Sequence, residues 1–173
     1  MTTATARTPA ITSRLPNVGT TIFTVMSALA QQHGAVNQYP PMAGVPVLRE
    51  AVAAKIESLY GRRYDAGSEI TITAGATQAI ITAILAIVHP GDEVIVLDPC
   101  YDSYEPNIEL AGGRAVHVPL VPGTFRPDFA RIAAALSPKT RAIIVNTPHN
   151  PSATVWTEQD MQRLAELLRP TDV

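Results

Sequence analysis

Hydrophobic positions follow two alternating patterns from Glu69 onward. Short runs rich in β-branched residues, typical of strands, are separated by longer segments with apolar residues at helical spacing. Such a strand and helix rhythm predicts right-handed crossovers and a largely parallel sheet. The predicted strands are residues 70–73, 94–97, 115–118 and 142–145, and the predicted helices are residues 77–88, 101–110, 128–136 and 158–168.

Two of the predicted strands are apolar without alternation, namely Val-Ile-Val-Leu at 94–97 and Ala-Ile-Ile-Val at 142–145. Central strands that carry helices on both faces need this pattern. The helix at 77–88 is apolar nearly all round, so we expect it to be buried. These features predict a three-layer α/β/α fold with a mostly parallel sheet.

The region before Glu69 has a different, helical character. It contains a helix-like stretch at 21–32, a turn-rich segment at 38–44 and then an amphipathic helix that Gly61 is suited to end. The apolar stripe of that helix consists of Leu48, Ala51, Val52, Ile56 and Leu59.

At the other end of the chain, Thr157 is a predicted N-cap with Asp160 three residues on. The chain ends soon after this last helix, without a closing element, and we expect a shortened sheet.

Composition narrows the class of ligand. The 173 residues are 46% hydrophobic and 16% charged, with a net charge of −2, so the chain lacks the basic excess that binding to nucleic acid or anionic lipid would need. The one cysteine, Cys100, excludes an internal disulfide and a multi-cysteine metal site. The longest apolar run, 83–88, is too short to span a bilayer. We therefore expect a cytoplasmic protein with a small-molecule ligand, no metal and no membrane partner.

A glycine turn leads from the first predicted strand into the first sheet-associated helix, at Gly75, Ala76 and Thr77. Backbone N–H groups and the helix dipole make such a turn a ready anion site. Many strand-to-helix turns carry a glycine for packing alone, and both readings stay open at this point. A Rossmann-type dinucleotide site is disfavoured because the turn has one glycine instead of the Gly-x-Gly-x-x-Gly fingerprint.

Two polar segments follow predicted central strands, where the ligands of parallel sheets bind. Residues 98–104, Asp-Pro-Cys-Tyr-Asp-Ser-Tyr, include Tyr101, whose ring is suited either to a planar cofactor or to packing. Residues 146–154 read Asn-Thr-Pro-His-Asn-Pro-Ser-Ala-Thr, and their prolines and asparagines predict a rigid loop that presents amide donors. His149 is expected to be a solvated loop residue and not a catalytic base.

Together these segments, in this order, resemble the fold type I aminotransferases of class I and II, which use pyridoxal 5′-phosphate (PLP). The likeness covers most of residues 15–168. It is strongest to the methionine and kynurenine aminotransferase-like group, through residues 37–44, Asn-Gln-Tyr-Pro-Pro-Met-Ala-Gly, and through residues 146–154. It implies the first half of the PLP-binding large domain over residues 46–173, preceded by an N-terminal arm and helix of the small domain and dimer interface over residues 1–45.

The resemblance also implies residue roles. The turn Gly75, Ala76 and Thr77 would bind the PLP phosphate, Tyr101 would stack on the pyridine ring, and Asn150 would hydrogen-bond the ring 3′-oxygen. Asn146 corresponds to an asparagine near the substrate carboxylate. Tyr39 corresponds to a tyrosine that reaches the phosphate of the neighbouring subunit, so the family's homodimer belongs to the implied site. Cis peptide bonds are expected before Pro99 and Pro151, and Ala153 occupies a position where many relatives have glycine.

Departures from the family pattern affect catalysis. The lysine that bonds covalently to PLP as a Schiff base is expected beyond the end of this chain, whose own lysines, Lys55 and Lys139, are predicted surface residues. No catalytic residue is therefore assigned. Residues 33–36 bridge a gap where relatives carry a longer substrate segment, which indicates an internal deletion.

The resulting hypothesis is a shortened transaminase polypeptide, a transferase of EC 2.6.1 type. Its complete relatives move an amino group from an amino acid to a 2-oxo acid. The alternative is a non-catalytic domain of the same fold that binds another phosphorylated ligand or a protein partner.

Overall fold

The computed structural model of the chain describes residues 19–35 and 41–173. The described residues form two compact units, one within Leu15–Ala79 and the other comprising Ile80–Val173. The predicted division of the chain at residues 45 and 46 stays a prediction.

The first unit contains two helices that the sequence predicts, α1 (Ile22–Gln32) and α2 (Pro46–Tyr60). The Thr21 hydroxyl caps α1 by accepting from the Thr24 N–H. Gly61 ends α2 in the left-handed conformation, with φ of 64°, as the sequence predicts. Neither helix has a buried residue among those described, so the apolar stripe of α2 lies largely open within this chain.

The predicted strand at 70–73 is wrong, because these residues pair with no strand in the described part of the chain. The Ile72 N–H donates instead to the Ala43 carbonyl at 2.9 Å. Gly44 makes this approach possible, since a Cβ there would lie 2.6 Å from Ile72 Cγ1. The β-branched pattern of the segment indicated an extended backbone but carried no information about a neighbouring strand.

The second unit follows the predicted α/β rhythm. Helix α3 (Ala76–Ile87) begins at the end of the first unit and leads into β1 (Glu93–Asp98), α4 (Tyr104–Leu110), β2 (Arg114–Pro119), α5 (Phe129–Ala135), β3 (Thr140–Ile143) and α6 (Glu158–Leu168). The three strands form a parallel sheet in the order β2-β1-β3. A capping box between Thr157 and Asp160 starts α6, as the sequence predicts.

Strand β1 is buried on both faces and separates two apolar clusters. Ile95 and Leu97 pack towards α5 and α6, whereas Val94 and Val96 pack towards α3 and α4. This alternation gives the three-layer α/β/α architecture and confirms the predicted fold class. Ile95, Ile108 and Ile132 are among the largest fully buried side chains of the described residues.

Helix α3 is less buried than its composition predicts. Ile84 is its one buried residue, and most of its other side chains are exposed or half-buried. A helix that is apolar all round is buried when other elements cover it on more than one side. Here the side that carries Ile84 packs in one cluster with Val94 and Val96 of β1. The expectation of a buried helix is therefore wrong for this chain.

The N-terminal edge of the sheet is held by one carboxylate. Glu93 is 8% exposed and accepts hydrogen bonds from Arg114 Nη2 and Ser137 Oγ, each at 2.7 Å. The bond from Ser137, followed by that from Arg114, holds the pKa of Glu93 below its ordinary value of 4.5. Glu93 thus ties the start of β1 to the start of β2 and to the turn before β3.

We expect substitution of Ile95 to destabilise the fold through loss of packing on β1. Ile95→Ala should lower the free energy of unfolding by about 2–5 kcal/mol and Ile95→Val by about 0.5–1.5 kcal/mol. Urea unfolding followed by circular dichroism measures both. Val155→Ala, at an exposed side chain, is the control and should change stability by less than about 0.5 kcal/mol. Equal effects at positions 95 and 155 would contradict the assignment of β1 to the core.

Acid should remove the stabilisation that Glu93 provides. Because the pKa of Glu93 is lowered by folding, its contribution is present above pH 4.5 and is lost as the pH falls through the folded value. Glu93→Gln should therefore reduce the midpoint of urea unfolding at pH 7 and flatten its decline between pH 5 and pH 3. Glu166→Gln, at an exposed site on α6, is the control and should leave that decline unchanged.

Candidate functional site

The polar segments predicted to bind a ligand leave the sheet at one edge. Strands β1 and β3 are parallel neighbours, and the segments that follow them carry Tyr101 on one side and Asn146 and Asn150 on the other. Parallel pairing brings the carboxyl ends of neighbouring strands together, where ligands of open α/β sheets bind. The structure thus places three of the predicted site residues at a single sheet edge.

The segment after β3 is held by hydrogen bonds within the loop and to the backbone of Trp156. Asn146 Oδ1 accepts from the Asn150 N–H at 2.8 Å, and this bond closes the loop on itself. Thr147 Oγ1 accepts from the N–H of Trp156, whose side chain is buried in the core. The peptide bonds before Pro148 and Pro151 are cis. The loop therefore presents the exposed side chain of Asn150 from a braced backbone.

His149 is not the solvated residue that the sequence suggested. It is 5% exposed, and its Nδ1 lies 2.7 Å from Ser152 Oγ. Its backbone is held as well, with its N–H donating to Thr154 and its carbonyl accepting from Ala153. Ala153 has a φ of 58°, a left-handed conformation that favours glycine. His149 thus braces the loop from within, through its contacts with residues 152–154.

The segment after β1 holds Tyr101 half-buried beside a second aromatic ring. The rings of Tyr101 and Tyr104 meet edge to face, with centroids 5.7 Å apart and an interplanar angle of 85°. Tyr104 is buried, and burial raises the pKa of its hydroxyl. The Tyr104 N–H donates to the Tyr101 carbonyl at 3.1 Å, and the Asp98–Pro99 peptide bond is cis, as expected. The edge contact orients the Tyr101 ring, as a stacking residue requires.

The predicted phosphate turn lies in the first unit. Gly75 has a φ of 87°, its N–H donates to Thr73, and a Cβ built on it would meet nothing within 4 Å. Ala76 and Thr77 are in the first turn of α3, at the positive end of the helix dipole. Open space beside a helix N-terminus fits an anionic group.

The remaining predicted residues have mixed outcomes. Lys55 and Lys139 are both exposed, which confirms them as surface residues. Tyr39 lies outside the described residues. No group of three or more potential metal ligands occurs in the ranges that the structure describes, and no helix there has the length and apolar character to cross a membrane.

A charged cluster at the same edge was missed by sequence reasoning. His117 of β2 lies between the carboxylates of Asp98 and Glu105, which flank the Tyr101 segment. No single segment of the sequence carries this signal, since it arises from the pairing of β1 with β2. Strand pairing brings together residues that lie 19 positions apart.

Cys100 lies next to Tyr101 and is half-buried. Burial, the negative charge of Asp98 and a hydrogen bond to that carboxylate raise the pKa of the thiol to about 11. The thiol therefore stays protonated near neutral pH, which disfavours a nucleophilic role for it.

Comparison with known proteins identifies this architecture. The profile of the family "Aminotransferase class I and II" matches residues 13–172. The chain belongs to this family. Its members are PLP-dependent aminotransferases.

Individual relatives agree with the family assignment. Methionine aminotransferase from Escherichia coli is 51% identical over 179 residues, which cover 88% of this chain and 46% of that protein. A probable N-succinyldiaminopimelate aminotransferase from Mycobacterium tuberculosis is 39% identical, over 90% of this chain and 46% of that protein. The chain thus spans about half the length of the aminotransferases that it matches.

Solved aminotransferase structures share the fold. The E. coli methionine aminotransferase structure superimposes with a TM-score of 0.76 at 48% identity, covering 93% of this chain and 49% of that chain. An aromatic aminotransferase from Pyrococcus horikoshii gives a TM-score of 0.75 at 33% identity, covering 87% of this chain and 40% of that chain. The alignment to the E. coli sequence spans 179 residues, more than the 173 of this whole chain, so it must include gaps in this chain. Such gaps are what an internal deletion would produce, and the deletion at 33–36 stays a prediction.

We expect Cys100 to react slowly with alkylating reagents. A thiol pKa raised from 9.0 to about 11 leaves roughly 100-fold less thiolate at pH 8. Iodoacetamide labelling followed by mass spectrometry should therefore be much slower in the native chain than in the urea-unfolded chain. Asp98→Asn should accelerate native labelling, whereas Asp102→Asn, at an exposed neighbour, should not. Equal labelling rates in the native and the urea-unfolded chain would contradict the half-buried position of the Cys100 thiol beside Asp98.

Proposed function

We propose that this chain is part of a PLP-dependent transaminase that moves an amino group from an amino acid to a 2-oxo acid. The observation that carries the proposal is the family match over residues 13–172. The chain retains the segments that correspond to cofactor recognition in this family, and the geometry of each segment suits its role. The relatives are named for chemically different substrates, among them methionine and N-succinyldiaminopimelate, so the substrate is proposed only as an amino acid.

The residues fit PLP in three chemically distinct ways. Gly75, Ala76 and Thr77 lie at a helix N-terminus, which is suited to the phosphate, and there is space beside Gly75. Tyr101 offers an oriented ring to the pyridine. Asn150 projects an amide, a donor suited to the ring 3′-oxygen, from a braced loop. PLP, when bound, supplies an electron sink for the carbanion at the substrate α-carbon.

Asn146 is proposed to face the substrate carboxylate. Its Oδ1 is engaged by the Asn150 N–H, so the amide NH₂ points away from that bond and is the group suited to a carboxylate oxygen. The same bond couples the two asparagines. Displacement of one therefore shifts the other.

Partners and location are proposed from the family and the composition. A homodimer would bring Tyr39 of one subunit to the phosphate bound by its neighbour. The prediction of a cytoplasmic protein stays a prediction, as does the absence of nucleic acid partners.

The chain on its own is proposed to bind PLP weakly and without a covalent bond. Lys55 and Lys139 are exposed surface residues, and neither belongs to the segments that would hold the cofactor. Binding would then depend on the phosphate, the ring stack and the amide contacts alone.

Equilibrium dialysis against PLP and against pyridoxal tests the proposal. PLP should bind and pyridoxal, which lacks the phosphate, should bind more weakly. Tyr101→Ala should weaken PLP binding by about two- to tenfold through loss of the ring contact. Tyr60→Ala, at an exposed tyrosine on α2, is the matched control and should not change it.

A covalent bond between PLP and a lysine of this chain would contradict the proposal of non-covalent binding. After borohydride reduction, mass spectrometry should find no stoichiometric PLP adduct on Lys55 or Lys139. Equal affinity for PLP and pyridoxal would contradict the proposal that Gly75, Ala76 and Thr77 bind the phosphate. Retention of a nucleotide during purification, with no competition by PLP, would favour the alternative of a non-catalytic domain that binds another phosphorylated ligand.

A further inference from the structure

One histidine links both ends of the segment that carries Tyr101. His117 Nδ1 lies 3.0 Å from both carboxylate oxygens of Asp98, the last residue of β1. On the opposite side of the ring, Nε2 lies 3.4 Å from Glu105 Oε1 in the first turn of α4. The three side chains lie on three consecutive elements of the sheet unit, namely β1, α4 and β2.

The contacts on both sides of the His117 ring favour its protonated form. A neutral imidazole has a donor on one nitrogen and a lone pair on the other, so one of the two carboxylates would face a lone pair. The imidazolium donates from both nitrogens and satisfies both carboxylates. The hydrogen bond to Asp98 correspondingly raises the pKa of His117, with smaller contributions from the Asp98 and Glu105 charges and against the opposing effect of burial.

We propose that protonated His117 is a positioning residue, which clamps Asp98 to Glu105 and so fixes the intervening segment and the plane of the Tyr101 ring. The segment is short, and it is closed at its far end by the bond from the Tyr104 N–H to the Tyr101 carbonyl. The buried ring of Tyr104 supports Tyr101 from below, while the clamp sets the separation of the segment's two ends. Its relevance to cofactor binding rests on the proposed function.

The charged surroundings of His117 are acidic. In the described residues, Asp98 of β1 and Glu105 of α4 are the charged groups paired with the ring, and the protonated thiol of Cys100 lies beside Asp98. Arg114, at the other end of β2, is paired with Glu93 instead. Deprotonation of His117 would therefore leave two carboxylates without their shared cation.

The direction of the pH effect follows from these contacts. Because folding raises the pKa of His117, the clamp is complete below the ordinary histidine value and is lost as the pH rises through the raised value. The Tyr101 segment should be ordered while His117 is protonated and both carboxylates are ionised. It should loosen once His117 deprotonates.

Nuclear magnetic resonance of the 173-residue chain tests the clamp without any cofactor. The Cε1–H signal of His117, assigned with His117→Gln, should titrate above about pH 6.5, the value of an unperturbed histidine. Asp98→Asn and Glu105→Gln should each move that titration towards the ordinary value. Glu109→Gln, one turn further along α4, is the control and should not. A titration of His117 at about pH 6.5, the value of an unperturbed histidine, would overturn the clamp.

The ring signals of Tyr101 report on positioning itself. In ¹³C-tyrosine-labelled protein, assigned with Tyr101→Phe, they should shift with the same midpoint as His117. His117→Arg keeps a cation with a planar set of donors at every pH. In that variant the Tyr101 signals should match those of the protonated parent and lose their pH dependence. Tyr101 signals that do not change with the protonation of His117 would overturn the positioning role, even if His117 titrates as expected.

Cofactor affinity gives a separate measurement. His117→Gln should weaken PLP binding at neutral pH by about two- to fivefold, the range for a partly exposed ion pair, and His117→Arg should restore it. Absence of PLP binding by the parent chain would contradict the proposed function and leave the clamp to be judged by the two resonance titrations. The His117 and Tyr101 signals could both titrate as expected while PLP affinity is equal in the parent and in His117→Gln. That result would show that the clamp does not serve the cofactor.

Discussion

Parallel pairing of β1 with a strand on each side is the constraint on which the rest of the structure depends. It buries the side chains of β1 on both faces, with Ile95 towards one helical layer and Val96 towards the other. It also fixes direction, because three parallel strands must all end at one edge. The segments that carry Tyr101, Asn146 and Asn150 share that edge as a consequence of strand direction.

The two loops at this edge are braced by different chemistry. The loop after β3 contains a hydrogen bond between two uncharged groups, in which Asn146 Oδ1 accepts from the Asn150 N–H. The loop after β1 is held by charge, through His117 and the carboxylates on either side of it. An amide has no group that titrates between pH 5 and pH 8, whereas an imidazolium loses its proton in or near that range. The bond between the two asparagines is therefore independent of protonation, whereas the proposed clamp on the other loop depends on it.

Sequence reasoning succeeded wherever the signal was local. The non-alternating run of β1, the capping box at Thr157 and the left-handed Gly61 each express a preference of a few consecutive residues, and each was predicted correctly. It failed where the outcome depended on a partner distant in sequence. The extended segment at Ile72 bonds to the carbonyl of Ala43 instead of a strand. The prediction that His149 is solvated was also wrong, since its side chain is buried and lies beside Ser152 of the same loop. Family resemblance supplied the roles of Tyr101 and Asn150, which their spacing alone left open.

The segments proposed to recognise the cofactor are formed by contacts within the described residues. The turn at Gly75, the Tyr101 ring and the loop that carries Asn150 would each make one contact with the cofactor. Each contact is worth only a small free energy on its own, so recognition without the covalent bond is expected to be weak and sensitive to orientation. The affinity for the cofactor then depends on how closely the Tyr101 ring is held in its stacking orientation. A charged clamp between Asp98 and Glu105, on either side of Tyr101, would therefore affect binding.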